Sequence, residues 1–407
     1  MRIAVVGAGI GGLATAVGLQ RAGAEVVVLE QAPRIRAVGS GLSLFGNGLT
    51  ALDALGLGAA VRALTVPGDP DLQAGQRRPD GRWLLRTPPA AVGRLRVVHR
   101  ADLHRVLVDA LPRDRLRTGA AVASVSADGE VLLTDGCRGQ YDLVVGADGI
   151  HSRVRAGWPG DPGLRYAGYS AWRGVTERPV DLRGAAGETW GRGLRFGTAP
   201  LRDGRVYWFG VACLPAGTVL PDEHGTLVRS FAGWHEPIAE LIEATPPPAV
   251  TRTDVHDLAG RLPTFVRGRV ALLGDAAHAM TPDLGQGANQ ALEDAATLGR
   301  LAAGIAAEEQ PRAGAVEEVL RRYDALRRPR TQALARRARA AGAVAQARGR
   351  ATAGLRDALL RLAPPSALAR PLARIQDWRP PAEVTMLGAP PRPGDGPYPS
   401  RRQVPQR

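Results

Sequence analysis

Residues 2–30 read RIAVVGAGIGGLATAVGLQRAGAEVVVLE, and the order of residue types in this stretch decides the fold. Arg2 to Val6 is a short β-branched run, Gly7-Ala8-Gly9-Ile10-Gly11-Gly12 follows it, Leu13 to Arg21 has helical character, and Glu25 to Leu29 is a second strand closed by Glu30. Strand, glycine loop, helix and strand make a βαβ unit. Gly7 makes the tight turn, Gly9 lets the backbone reach a pyrophosphate, and Gly12 lets the helix pack on the strand. The helix N-terminus faces the anion, and Glu30 holds a ribose hydroxyl. Since Glu30 would repel a 2′-phosphate, the site suits the adenosine of FAD or NAD. Gly56-Leu57-Gly58 follows a helix rather than a strand and reads as a plain inter-helix turn.

Outward from this unit, Asp142 to Gly146 and Arg269 to Gly274 repeat the pattern of a buried parallel strand, each an apolar run ending near Gly and Asp. Ligands bind at such strand ends on an open α/β sheet. Between them, Arg165 to Val175, Glu188 to Leu201 and Arg205 to Ala212 carry Trp, Tyr and Phe between Gly, Pro and Asp, the pattern of an antiparallel sheet. The expected organisation is a Rossmann-like α/β domain from residues 1–75, 96–164 and 256–381, ending in a C-terminal helical segment. An inserted antiparallel substrate domain takes residues 76–95 and 165–255. Helices are expected from Gln286 to about Ala303 and from Ala315 to about Leu362. The Pro/Gly/Arg-rich stretch 382–407 reads as a disordered tail.

Composition narrows the chemistry. All 53 basic residues are arginine, against 39 acidic ones, for a net charge of +14. With no lysine, a Schiff-base enzyme and a Walker A ATPase are excluded. The arginine excess sits mostly between Arg312 and Arg379, where Leu334, Ala338, Ala341 and Ala345 suggest one apolar helical face with Arg336, Arg337 and Arg339 partly outside it. This is a solvated helix packed on the first domain rather than a nucleic-acid surface. Cys137 and Cys213 are far apart and no Cys/His cluster exists, so neither a disulfide framework nor a metal site is indicated and a reducing cytoplasm is expected. Ile3 to Leu19 mimics an export signal at Ala14-Thr15-Ala16, but its five glycines make a poor apolar core. It is also too short for a membrane span.

Two further motifs carry chemistry. The second is Asp148-Gly149-Ile150-His151-Ser152-Arg153-Val154-Arg155 after the strand 142–146. The third is Gly274-Asp275-Ala276-Ala277-His278, then Thr281-Pro282-Asp283-Leu284-Gly285-Gln286-Gly287-Ala288-Asn289. There a strand-end Asp precedes a Gly-rich loop that opens a long helix, so backbone N–H groups and a helix dipole converge on a ligand. His99, His104 and His278 are read as structural, and Trp172 and Trp208 as core.

The three motifs in this order resemble the class A flavoprotein monooxygenases with the p-hydroxybenzoate hydroxylase fold, over nearly all of the chain up to about Pro381. The branch holding urate hydroxylase and bacterial relatives of zeaxanthin epoxidase looks similar. The resemblance implies that Gly7, Gly9, Gly12 and Glu30 serve the FAD adenosine half, with Gly11, Gln31, Ser43 and Val122 also binding the cofactor. Arg100 would lie near its phosphates, and Asp148-Gly149 would serve both FAD and NAD(P)H. Asp275 would meet the ribitol and phosphate, with Leu284, Gly285, Gln286, Gly287 and Ala288 beside the isoalloxazine. Pro282, Asp283 and Arg195 are the implied catalytic positions, with Arg195 and Tyr207 on the substrate. Ala171 stands where urate hydroxylase carries an Asn, which puts urate itself in doubt.

The implied reaction is reduction of the flavin by NADPH or NADH, O₂ addition to give a C4a-hydroperoxide, and transfer of one oxygen to an aromatic or heteroaromatic small molecule. NAD(P)H docks transiently, since there is one dinucleotide fingerprint. Epoxidation or oxidase chemistry is the alternative and a basic nucleic-acid binder the remote one. A flavin-dependent halogenase would need a lysine and a WxWxIP stretch that the chain lacks. Oligomeric state is not readable.

Overall fold

The β-branched run Arg2–Val6 lies inside a six-stranded sheet whose order is 266–267, 270–272, 143–146, 2–6, 25–30, 116–118. The computed structural model describes residues 1–35, 40–65, 72–89, 93–308, 314–364 and 366–382, so the expected tail lies outside the described residues apart from residue 382. All pairings in this sheet are parallel except that of the Val266–Arg267 edge with Val270–Leu272. Val5 stands level with Val28 on one side and Val145 on the other. These strands are apolar throughout rather than alternating because both faces are covered, with Val122, Val131 and Leu133 of a three-stranded antiparallel sheet sharing their core, and Ile3, Val5, Val28, Val144 and Val145 are fully buried. The strands 143–146 and 270–272 thus take the parallel places that their sequence pattern predicts.

Helix α1 (Ile10–Arg21) packs on this sheet, and helix α2 (Gly287–Ala302) packs on α1. A Cβ built on Gly299 of α2 would lie 3.2 Å from the Gly18 backbone of α1, so the two helices touch main chain to main chain. Helix α3 (Ala315–Ala345) follows, with a proline at 329, and helix α4 (Arg350–Leu362) comes after it. The single helical run expected from Ala315 to about Leu362 is therefore broken at residues 346–349. The reason lies in the backbone: Gly349 adopts an extended conformation as the N-terminal cap of α4, and buried Arg356 donates to the Ala345 carbonyl at the end of α3 and to Gly191 O, both at 3.0 Å.

The second sheet has seven strands in the order 251–258, 164–175, 206–212, 194–200, 185–190, 73–77, 83–86. It is antiparallel except where Gln73–Arg77 runs parallel to Ala185–Trp190. One face carries its own core, in which Trp208 stacks on Phe196 at 5.4 Å and Phe231 meets Phe196 edge-on at 5.1 Å. Trp172 and Trp208 are core residues, as their sequence context predicts. Their indole N–H groups donate to Glu223 Oε2 and Thr245 Oγ1, so neither buried donor is wasted. The opposite face bears Tyr207, Phe209, Arg195 and Glu188 and turns toward the first sheet. Among the described residues, no helix is long and apolar enough to cross a membrane.

Candidate active site

The three motifs meet because they end neighbouring strands of one sheet: 2–6, 143–146 and 270–272 all stop at the same edge. In the first, Gly7 has φ of +103°, and a Cβ there would sit 2.6 Å from Ala147 O. A Cβ on Gly12 would lie 2.0 Å from Gly7 O. Gly9 is different. Nothing lies within 4 Å of where its side chain would start, and no side chain caps α1 behind it. The packed glycines thus shape the turn, and the open one leaves room for an anion at a helix N-terminus.

Glu30 closes the strand 25–30. Its Oε2 accepts from Ala8 N–H and its Oε1 from Ala32 N–H, each at 2.8 Å, so the carboxylate clamps the glycine loop to the next strand. His104 Nε2 bonds Ala8 O at 2.8 Å, a structural role as its sequence position suggests. Gln31 is exposed beside this clamp. The Val122 side chain is buried in the main core, which leaves only its backbone to face outward.

At the second motif, Asp148 Oδ2 accepts from the N–H groups of Arg153 and Val154, while its buried Oδ1 has no partner among the described residues. Arg155, 3% exposed, joins this motif to the third. It pairs with Asp161 at 3.0 Å and donates to Ile150 O at 2.7 Å and Ala276 O at 3.1 Å.

Asp275 is exposed, but to a recess rather than the outer surface. Lost hydration raises its pKa, while His278, Arg100 and Arg155 act in the opposite direction. Its Oδ1 lies 4.0 Å from where a Gly287 Cβ would be, beside the uncapped start of α2. Arg100 opens the helix Arg100–Asp109, and its N–H holds Ser40 O at 2.8 Å. Asn289 pins the loop to the short strand Gly41–Leu44. Its amide donates to Ser43 O and Gly285 O and accepts from Phe45 N–H. An uncapped helix start, an open glycine, an unpartnered Asp148 oxygen and a recessed Asp275 are a donor and acceptor set that fits a phosphate-bearing, hydroxyl-rich cofactor such as FAD.

A buried ionic lattice stands behind the loop. Asp294 of α2 accepts from Gly274 N–H at 2.9 Å, pairs with His278 Nε2 at 2.6 Å and with Arg327 Nε at 2.6 Å. Glu293 is held by Arg327 at 2.5 Å, Arg330 at 2.7 Å and Asn47 at 2.7 Å. Burial on its own would raise the Asp294 pKa, but His278, Arg327 and the two donated hydrogen bonds outweigh it and bring it down to about 2. His278 therefore orients the loop, the role its place beside a strand end suggests.

On the sheet side, Arg195 is 2% exposed and saturated with anions: Nη2 meets Asp283 Oδ1 at 2.7 Å and Nη1 meets Glu188 Oε2 at 3.3 Å. Burial opposes its charge, yet Glu188 and Asp283 more than compensate and raise its pKa. Asp283 Oδ2 accepts from Tyr169 OH at 2.6 Å, and burial followed by the Asp283 charge drives that phenol well above its usual pKa. Asp283 is therefore engaged on both oxygens, while Pro282 beside it is exposed. The Tyr207 ring presses on the Gly41 backbone, where a Cβ would come within 2.2 Å of it. Burial raises its pKa as well.

Tyr169, Glu188, Arg155, Asn289, Asp294 and Arg327 have roles that no motif announces. Arg155 and Asn289 end quoted motifs and Tyr169 lies in the strand 164–175, but Glu188 and Arg327 carry no local signal, since Glu188 meets Arg195 across neighbouring strands and Arg327 meets Glu293 and Asp294 of another helix, 34 and 33 residues away.

Residues 1–338 match the model of a family described as FAD binding domain. The chain is 42% identical over 313 residues to aurachin C monooxygenase/isomerase of Stigmatella aurantiaca, covering 74% of this chain and 80% of that protein. It is 37% identical over 356 residues to FAD-dependent urate hydroxylase of Klebsiella pneumoniae subsp. pneumoniae, covering 83% and 89%. Its fold is similar to that of Klebsiella pneumoniae HpxO complexed with FAD and uric acid, with TM-score 0.81 and 31% identity over 92% of this chain and 96% of that one.

Proposed function

Because the chain belongs to the FAD binding domain family of flavin-dependent monooxygenases, we propose that it hydroxylates an aromatic or heteroaromatic small molecule held between the Tyr207–Phe209 sheet face and the Pro282–Ala288 loop. It is a monooxygenase with FAD as cofactor, NADPH or NADH as electron donor and O₂ as co-substrate. When bound, FAD accepts the electrons and activates O₂. The observation that carries the reading is the convergence of three motif-bearing strand ends on one sheet edge, facing the aromatic side of the second sheet.

In this assignment the chain's residues bind, orient and exclude water. The N–H groups at the start of α1, with Gly9 leaving the space before them open and Gly11 and Gly12 shaping the turn, would hold the pyrophosphate, and Glu30, Gln31 and the Val122 backbone would serve the adenosine half. Ser43, Arg100, Asp148, Gly149 and Asp275 would hold the middle of the cofactor, and Leu284 to Ala288 would offer amides to its ring. Those amides and the α2 dipole would supply positive potential there. Asp283 and Arg195, each engaged by the other, hold the loop against the sheet and act as positioning residues. Tyr207 and Phe209 supply the dry aromatic wall. The substrate domain is the seven-stranded sheet with its flanking helices, and unpaired Cys137 and Cys213 favour the cytoplasm.

The test is oxidation of NADH or NADPH by the FAD-loaded protein against phenols, indoles and purines, with each product weighed for one added oxygen. Oxidation that gives only hydrogen peroxide for every compound would sink the hydroxylase reading in favour of an oxidase. Asp275→Ala checks the cofactor assignment. Loss of an acceptor at the flavin costs about 2 kcal/mol, roughly thirty-fold in FAD affinity. The variant is expected to purify with little visible flavin absorbance and to regain it only at high added FAD.

A further inference from the structure

We propose that Glu188 selects the substrate: the recess takes an uncharged aromatic or heteroaromatic ring that donates an N–H or O–H hydrogen bond, and it rejects aromatic carboxylates. This rests on the placement of the substrate given above. Cross-strand register puts the relevant residues on one face. Trp190 stands opposite Arg195, Glu188 opposite Gly197, Gly197 opposite Phe209, and Ala199 opposite Tyr207. This is the face that meets the Pro282–Ala288 loop through Arg195 and Asp283, and the Gly41 backbone through Tyr207.

A buried aromatic carboxylate needs a cation to replace its hydration. Arg195 is not available, since its two terminal nitrogens already hold Asp283 and Glu188 and its Nε is sealed from solvent. The other arginine of the face, Arg173, stands opposite Phe209, three strands from Glu188, and is already engaged, by Thr253 Oγ1 at 2.8 Å and by the Tyr207 hydroxyl. Across Arg195, Arg173, Glu188 and Asp283 the formal charges cancel, so these side chains offer an anion no net positive charge.

The acceptor side differs. Glu188 Oε2 is taken by Trp190 Nε1 at 2.7 Å and by Arg195, while Oε1 carries no hydrogen bond among the described residues, and the side chain is 25% exposed. A half-satisfied carboxylate on an otherwise apolar wall of Phe209, Tyr207, Gly197 and Ala199 asks for a donor from whatever fills the recess. Ala171, 2% exposed among Tyr169, Val211 and Val255, offers no competing polar group.

The experiment compares matched probes on the FAD-loaded enzyme: indole against N-methylindole, phenol against anisole, and benzoate. Binding is read from the perturbation of the flavin visible spectrum and turnover from the oxygenated product. Donor probes are expected to bind about tenfold or more tighter than their methylated partners, with benzoate weakest. In Glu188→Gln that preference shrinks, and benzoate gains because the Arg195 charge is less compensated. An unaltered flavin spectrum in the free variant shows that it is folded. Equal affinity within both pairs, tighter benzoate, no binding of either donor probe, or an unchanged preference in Glu188→Gln overturns the proposal. Oxygenation of benzoate in preference to phenol would overturn it while leaving the monooxygenase reading standing, whereas failure to oxygenate any compound strikes that reading instead.

Discussion

Gly12→Ala is expected to abolish FAD retention and to cost on the order of 3 kcal/mol of stability. The added Cβ would lie 2.0 Å from Gly7 O and 3.1 Å from Gly7 C, atoms of the main chain that cannot swing aside as a flexible side chain can. Gly7 itself is fixed, because its N–H donates to Leu29 O at 2.8 Å and its φ is +103°. Either α1 lifts from the strand 2–6 or the turn opens, and both movements misdirect the N–H groups that face the anion. Gly9→Ala makes the control, since nothing stands within 4 Å of its new Cβ. That variant should fold with near-normal thermal stability and lose flavin only through the volume taken from the cofactor. Bound flavin per protein and the melting temperature of the apo forms measure the two effects separately. Equal melting temperatures for Gly12→Ala and the parent would refute the packing argument.

Arg327→Met should be the most damaging substitution away from the cofactor, at about 3–5 kcal/mol, because it removes the cation from two buried carboxylates while leaving them in place. Arg327 is 1% exposed and holds Glu293 at 2.5 Å and Asp294 at 2.6 Å, besides the Gln290 side chain at 2.8 Å. Glu293 keeps Arg330 and Asn47, so the penalty concentrates on Asp294. The pH dependence gives a second readout. A carboxyl at 3.8 unfolded and about 2 folded contributes stability that is fully present above the unfolded value and lost as pH falls through the folded one. That contribution is about 2 kcal/mol. Without Arg327, burial gains the upper hand over the remaining partners and the folded pKa rises. The stability gap between parent and variant is therefore widest near neutral pH and narrows below about pH 4. Thermal unfolding across a pH series measures it, and a gap that does not change with pH would contradict this account of Asp294.

The sequence carries its fold most clearly where a backbone requirement forces residue type. Gly7, Gly9, Gly12 and Glu30 occur in one short window because a turn, an anion and a ribose each demand a particular group at a particular step, and the parallel strands 143–146 and 270–272 show themselves by uninterrupted apolar runs. Trp172 and Trp208 were likewise recognisable as core. The candidate site is less local. Arg195 and Tyr207 are visible as residues, but that Arg195 is neutralised depends on Asp283 coming from a loop 88 residues away and on Glu188 from the neighbouring strand. Arg327 reads as one more arginine on a basic helix, and only its position beneath α2 makes it a core residue. The break between α3 and α4 escapes the residue pattern because what ends α3 is Arg356 reaching back to Ala345, a contact that no periodicity encodes.

The seven-stranded sheet keeps its own hydrophobic core, with Trp172, Phe196, Trp208 and Phe231 on the face away from the cofactor side. Its other face carries only the small buried cluster of Tyr169, Ala171, Val211 and Val255, on which Phe209 packs, so positions outside that cluster can be repainted with little effect on what keeps the sheet folded. A change at Ala199 removes contacts from none of the three buried clusters, and effects of separated sites add nearly independently. A lineage of such chains can drift from one ring system to another by substitutions in a single layer, each tested by selection on its own merits, while the redox apparatus is inherited unchanged. Combinatorial libraries confined to that layer should consequently yield mostly folded, yellow proteins, differing in what they oxidise rather than in whether they stand.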